Sequence, residues 1–141
     1  MNLRILQIAT AVLGLIPILT GLVGLMGVAD PLYVREGVPA TAKALDSNLR
    51  FFSGVWLGLG LWLIWLVPRI ATQTLLFRVF WSMIFVGGIG RILSLAMVGT
   101  PAMPVGAVVW AVTALEIVGA PLFIWWQSRV AKETAWDEAR S

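Results

Sequence analysis

The sequence predicts an all-α fold, an integral membrane four-helix bundle with antiparallel up-and-down spans, on three observations. Hydrophobic residues fill 60% of the 141 positions and charged residues only 12%, where soluble domains run near half apolar and about a quarter charged. Ten basic and seven acidic side chains are too few to cover the surface of a water-soluble fold of this size. Four separate apolar stretches each approach the ~20 residues that a helix needs to cross the ~30 Å hydrocarbon layer. Mean hydropathy is +0.92, so the natural solvent is lipid.

Span 1 covers residues 5–28 and ends before the helix breakers Asp30-Pro31 and Gly37-Val38-Pro39. Gly27-Val28-Ala29 has the small-x-small pattern of a signal-peptide cleavage site, but the apolar run before it exceeds an ordinary signal core, so the span is expected to stay. Span 2 is apolar from Phe51 to Val67. It is expected to start near Asp46 or Ser47, where Asp46-Ser47-Asn48 offers an N-cap and Arg50 can snorkel to the headgroups. Pro68-Arg69 closes it. Span 3 covers 79–99 and span 4 covers 103–126, separated by Thr100-Pro101 and Pro104. Residues 127–141 read as a solvated helical tail with Arg129 and Glu133 four apart, which completes a single transmembrane domain over 1–141. The connection from Ala29 to Leu45 is the one long loop.

Positive charge is retained in the cytoplasm, so the basic residues set orientation. Arg4, Arg69, Arg78, Arg129, Lys132 and Arg140 fall on one side, Arg35, Lys43 and Arg50 on the other, with Arg91 between them. Six against three predicts both termini inside and the 29–45 loop outside. Trp65, Trp81, Trp125 and Trp126 fall near the same ends and read as interface anchors. The basic residues form no dense run, so nucleic acid is not an expected partner.

Packing in lipid depends on small residues, since apolar helices gain little from leaving hydrocarbon. Gly14, Gly21, Gly24 and Gly27 in span 1, Gly54 and Gly58 in span 2, Gly87, Gly90 and Ser94 in span 3, and Ala107, Ala111 and Ala114 in span 4 are the expected contact faces. Pro17 and Pro121 each delete a helical hydrogen bond and predict bends, with Thr20 available to serve the carbonyl freed near Leu13.

The chain has no cysteine and no histidine, which removes thiolate chemistry, Cys or His zinc sites and most haem ligation. No metal, cofactor or catalytic residue is expected. Arg91 and Glu116 stand out, because a charge at the centre of a span costs roughly 2.5–3.5 kcal/mol on insertion scales and is seldom left facing lipid. Counted from the outer ends of their spans, they lie about 12 and 20 Å deep at 1.5 Å per residue. An arginine side chain bridges that difference, so an ion pair is expected. Ser94 shares the face of Arg91 and Thr113 that of Glu116, giving a candidate polar site of Arg91, Glu116, Ser94 and Thr113. Asp46, Asn48, Arg50 and Ser53 form its expected outer rim. Such a pair either fixes helix register or offers a site for a headgroup or a proton.

The segments Leu45-Asp46-Ser47-Asn48-Leu49-Arg50-Phe51-Phe52-Ser53-Gly54, Gly88-Ile89-Gly90-Arg91 and Leu115-Glu116-Ile117-Val118-Gly119-Ala120-Pro121 resemble the small four-span bacterial membrane proteins of the uncharacterised DUF4345 type. The resemblance extends over essentially the whole chain, including Asp30-Pro31-Leu32-Tyr33. It implies a membrane fold in a bacterial cytoplasmic membrane and supplies no reaction, ligand or catalytic residue.

The function expected on these grounds is non-enzymatic: binding of a lipid-like ligand, or service as an accessory subunit of a larger membrane assembly. Its partners would be membrane lipids, a larger complex or further copies of the chain. An ion-coupled transporter using Glu116 is the alternative, weakened by the absence of a second intramembrane acid and of an inverted repeat. A membrane enzyme acting on an apolar substrate ranks last, because a lone carboxylate beside an arginine is a poor proton donor.

Overall fold

The computed structural model describes residues 2–26 and 41–140. The Gly27-Val28-Ala29 pattern, the breakers at Asp30-Pro31 and Gly37-Val38-Pro39, and Arg35 lie outside the described residues. Among those described there is no strand. The helices are α1 (Leu3–Met26), α2 (Thr41–Leu66), a 3₁₀ turn (Val67–Arg69), α3 (Thr74–Met97), α4 (Val105–Ala114), a π-helical turn (Leu115–Gly119) and α5 (Ala120–Glu138). With α4, the π turn and α5 continuous, four helices are long and apolar enough to cross a membrane. Their outward side chains are large and apolar, among them Ile8, Leu19, Phe51, Val86 and Leu122. A surface of that kind matches a hydrocarbon solvent.

The chain divides into two compact units, Gln7–Val67 and Pro68–Ser141 with Met1–Leu6. In the first, α1 and α2 run antiparallel: Gly14 faces Ile64, Gly21 faces Leu57, and Gly24 faces Ser53. The backbones touch where side chains are missing. A Cβ on Gly21 would lie 2.7 Å from the Leu57 amide nitrogen and 2.8 Å from the Ser53 carbonyl oxygen, and one on Gly60 would lie 2.9 Å from the Ile18 nitrogen. Pro17 is buried and its ring packs on Gly60, while α1 continues through it to Met26. Polar side chains then tie off the pair. Gln7 Nε2 donates to the Val67 carbonyl at 3.1 Å. Trp56 Nε1 donates to Thr20 Oγ1 at 3.0 Å. The Thr20 hydroxyl itself donates to the Ile16 carbonyl, 2.6 Å away, instead of the Leu13 carbonyl that Pro17 frees.

Two expectations for this unit change, and that for Gly54 does not. Helix α2 begins at Thr41, so Asp46 lies inside the helix and pairs with Arg50 at 2.9 Å instead of capping an N-terminus. Gly58 meets nothing within 4 Å, so the contact face of α2 runs through Gly60 and not through Gly58. Gly54 has an ordinary contact with Leu25.

The second unit packs α3 antiparallel against the α4, π and α5 helix around aromatic side chains. Phe77, Phe80, Trp81 and Ile84 face Ala120, Phe123 and Val130, and Trp81 stacks on Phe123 with ring centroids 4.4 Å apart. Here too the small-residue faces shift. Gly87 and Gly90 meet nothing within 4 Å, and the close approach is at Gly88. Ala107, Ala111 and Ala114 are exposed, and the same helix turns Gly106, Thr113, Glu116 and Gly119 inward. Gly106 allows the Thr100-Pro101 connection to fold against α4, where a Cβ would strike the Pro101 carbonyl oxygen. Gly99, two residues past the end of α3, has a φ of +99°, a conformation that favours glycine.

Candidate functional site

Two local features bring Glu116 to α3. Pro121 has no amide hydrogen to continue the ladder, and the turn just before it, Leu115–Gly119, widens to π geometry. Such bulges occur frequently at functional sites. Opposite that turn stands Gly88, whose missing Cβ would come within 2.9 Å of Glu116 Cβ and of Ile117 Cδ1. Any larger residue would push the carboxylate away from α3.

Arg91 follows Gly88 by three residues and shares its face. Its Nε donates to both carboxylate oxygens of Glu116, at 3.0 Å to Oε1 and 2.8 Å to Oε2. The two side chains differ in setting: 44% of Arg91 is exposed against 8% of Glu116. Among the described residues neither Nη1 nor Nη2 of Arg91 has a hydrogen-bond partner. The carboxylate is therefore enclosed and engaged, while the far fork of the guanidinium stays open. No group of three metal-ligating side chains gathers among the described residues.

Ser94 and Thr113 do not join this arrangement. The Ser94 side chain is exposed one turn beyond Arg91, with no hydrogen-bond partner among the described residues. Thr113 is buried and donates to the Val109 carbonyl of its own helix at 2.7 Å. Asp46, Asn48, Arg50 and Ser53 belong to the α1–α2 unit. Arg50 donates through Nε to Asp46 and through Nη1 to the Leu25 carbonyl, both at 2.9 Å. Ser53 lies against Gly24, and Asn48 is exposed.

Residues 5–127 match the model of a family described as Domain of unknown function (DUF4345). The chain belongs to that family. No curated protein and no solved structure matches it. The matched segment of this DUF4345 member includes Gly88, Arg91, Glu116 and Pro121 and ends on Gln127.

Gln127 is a polar residue that sequence reasoning assigned to the solvated tail. It is fully buried, and its Nε2 donates to the Ile70 carbonyl and to Thr74 Oγ1, each at 2.9 Å. Packing thus continues past Trp126 to Val130. The available signal was the face it shares with Phe123 and Val130, at spacings of four and three. The tryptophans divide likewise. Trp65 and Trp125 are exposed, as an anchor requires, but Trp81 is buried at 3% exposure and belongs to the aromatic core. Arg129 lies 5.6 Å over the Trp125 ring, a cation–π distance.

Proposed function

We propose that this DUF4345 member is a non-enzymatic, multi-pass membrane protein that binds a lipid-like ligand at the Arg91–Glu116 pair. The observation that carries this reading is the half-satisfied guanidinium: Nε is held by a buried carboxylate, while Nη1 and Nη2 have no partner among the described residues. A register device alone needs only a closed pair. An open donor fork beside exposed Ile92 and Leu93 supports an apolar molecule with a hydrogen-bond acceptor. The location we propose is the bacterial cytoplasmic membrane, with both termini in the cytoplasm, supported by the six-to-three distribution of basic residues.

Native mass spectrometry of protein released directly from membranes tests the ligand. The wild type is expected to retain a lipid-like adduct that the Arg91→Leu/Glu116→Leu double variant, which strands no charge, loses while staying folded. An unliganded wild type, or the same adduct on the double variant, overturns the proposal. A retained protein partner in place of the adduct favours an accessory subunit. For orientation, an Ala40→Cys variant is expected to react with an impermeant thiol reagent on intact cells, and reaction only after lysis reverses the topology.

A further inference from the structure

Depth along α3 restricts what the open fork of Arg91 can meet. Arg91 lies six residues before Met97, where α3 ends, which places its Cα about 9 Å inside that end at 1.5 Å per residue. Glu116 packs on Gly88, one helical turn deeper, at about 14 Å by the same rise. To reach that carboxylate, Arg91 Nε is drawn toward the middle of the helix, the reverse of snorkelling. Nη1 and Nη2 are two bonds from Nε and so lie close to its depth. The 24 residues of α3 span about 36 Å and overhang a ~30 Å hydrocarbon layer by about 3 Å at each end. If α3 crosses the membrane, the fork is thus about 6–11 Å below the hydrocarbon edge. Phosphates of the surrounding lipids lie outside that edge.

Charge and hydrogen-bond valence narrow the chemistry. Arg91 and Glu116 neutralise each other, so an added anion meets the Glu116 carboxylate as well as the guanidinium and gains little net attraction. What the pair offers is N–H donors, and the carboxylate oxygens are enclosed, with 8% of the Glu116 side chain exposed. A partner must therefore accept hydrogen bonds without donating them, carry no full charge, and reach the fork from an apolar body. Ether and carbonyl oxygens meet those conditions, and the carbonyl is the stronger acceptor, with two lone pairs to take both N–H groups of the fork.

We infer that the ligand of the Arg91 Nη fork is the carbonyl oxygen of an uncharged, predominantly apolar molecule, and that a phosphate headgroup is not. The inference rests on the lipid-binding reading above and names the ligand class for the same site. Two sources share this chemistry: a free long-chain carbonyl compound, or the ester carbonyl of a bilayer phospholipid drawn inward.

Infrared spectroscopy of the full chain in nanodiscs separates them. In discs of ether-linked phosphatidylcholine, which has no ester carbonyl, the probe is heptadecan-9-one labelled with carbon-13 at its carbonyl. A second, red-shifted carbonyl band is expected with wild-type protein and is expected to be lost in the Arg91→Leu/Glu116→Leu double variant, whose fold is checked by circular dichroism. The same band from ester-labelled phosphatidylcholine without ketone assigns the fork to bilayer lipid, and from ketone alone to a free compound. Either result supports the inference. No shifted band from either probe overturns it, as does a band that excess ether-linked phosphatidate, which has no ester carbonyl, abolishes or that persists in the double variant. Failure of the broader reading is separate: the native mass spectrum then shows no adduct, whereas an adduct without a shifted band leaves lipid binding standing and removes only the carbonyl class.

Discussion

The two helix pairs solve one problem with different residues. In the α1–α2 unit the backbones meet where glycine permits it, at Gly21 and Gly60, and polar side chains finish the ends. In the α3–α5 unit the helices are set apart by Phe77, Trp81 and Phe123 and cross-linked by Gln127 and by Arg91 with Glu116. Helix association in lipid draws on close packing and on interhelical hydrogen bonds, and here the two means are largely divided between the units. The first should be intolerant of volume and little affected by charge, since its charged link from Arg50 to the Leu25 carbonyl is exposed. The second should be intolerant of stranded charge and, away from its close contacts at Gly88 and Gly106, more tolerant of volume.

The largest expected effect tests the first half of that contrast. Gly21→Leu places a Cβ 2.7 Å from a backbone nitrogen and 2.8 Å from a backbone oxygen, neither of which can move without separating α1 from α2. Overpacking typically costs about 1–3 kcal/mol and occasionally more, and a clash with backbone belongs at or beyond the upper end. Thermal unfolding in detergent should show a drop of that size or loss of folded protein. A variant as stable as wild type would mean that the pair is held by something other than backbone contact.

Next comes the stranded charge. Breaking a fully buried pair costs roughly 3–5 kcal/mol, but Arg91 is 44% exposed, so the two single variants should differ. Arg91→Leu leaves the enclosed carboxylate alone and should cost about 3 kcal/mol, near the low end of that range. Glu116→Leu leaves an arginine that can turn outward, and should cost about half as much on the same scale. The double variant should recover most of the loss. Additive single effects would show that the two groups are not energetically coupled, and equal ones that the exposure of Arg91 does not soften the loss of its partner.

How far the sequence discloses this depends on the energies involved. Hydropathy over some twenty residues is a large summed quantity, so the long apolar helices follow from composition and length. Arg91 and Glu116 are legible for the same reason, since each charge is costly enough to demand an explanation. Helix rotation is not. With apolar side chains on every side, no polar stripe marks the inward face of α2 or α3, and choosing Gly58 over Gly60, or Gly87 over Gly88, amounts to a turn of about 100–200° at 3.6 residues per turn. The π turn at Leu115–Gly119 is hidden for a related reason: Pro121 announces a disturbed hydrogen-bond ladder without saying whether the helix bends or widens. Thr41–Leu45 precede the apolar run of span 2, so hydropathy gives no reason to begin α2 there.

A smaller effect is expected at Gln127, where the second unit uses a neutral polar side chain. Gln127→Met keeps the volume and removes two hydrogen bonds, leaving the Ile70 carbonyl and the Thr74 hydroxyl without that donor. It also removes Oε1, a buried acceptor that has no partner among the described residues. The net cost should be about 1 kcal/mol, in line with single hydrogen bonds in soluble proteins and the lower values measured between membrane helices. Hydrogen exchange of the α5 amides should rise locally. A loss as large as that of Arg91→Leu would make Gln127, and not the ion pair, the principal polar link in the unit.

The smallest effect falls on the residue whose face the sequence misplaced. A Cβ at Gly58 meets nothing within 4 Å, whereas one at Gly60, two positions on in the same helix, meets Ile18 at 2.7 Å. Gly58→Leu adds apolar surface to an outward position and replaces a poor helix former with a good one, a change of roughly 0.5–1 kcal/mol in helix propensity in water. In detergent the net change should stay within about 0.5 kcal/mol of zero, as for most surface substitutions. Gly60→Leu should lower the unfolding temperature sharply. A marked loss at Gly58 with Gly60 tolerant would reverse the assigned rotation of α2 and, with it, the account of the first unit as a pair joined backbone to backbone.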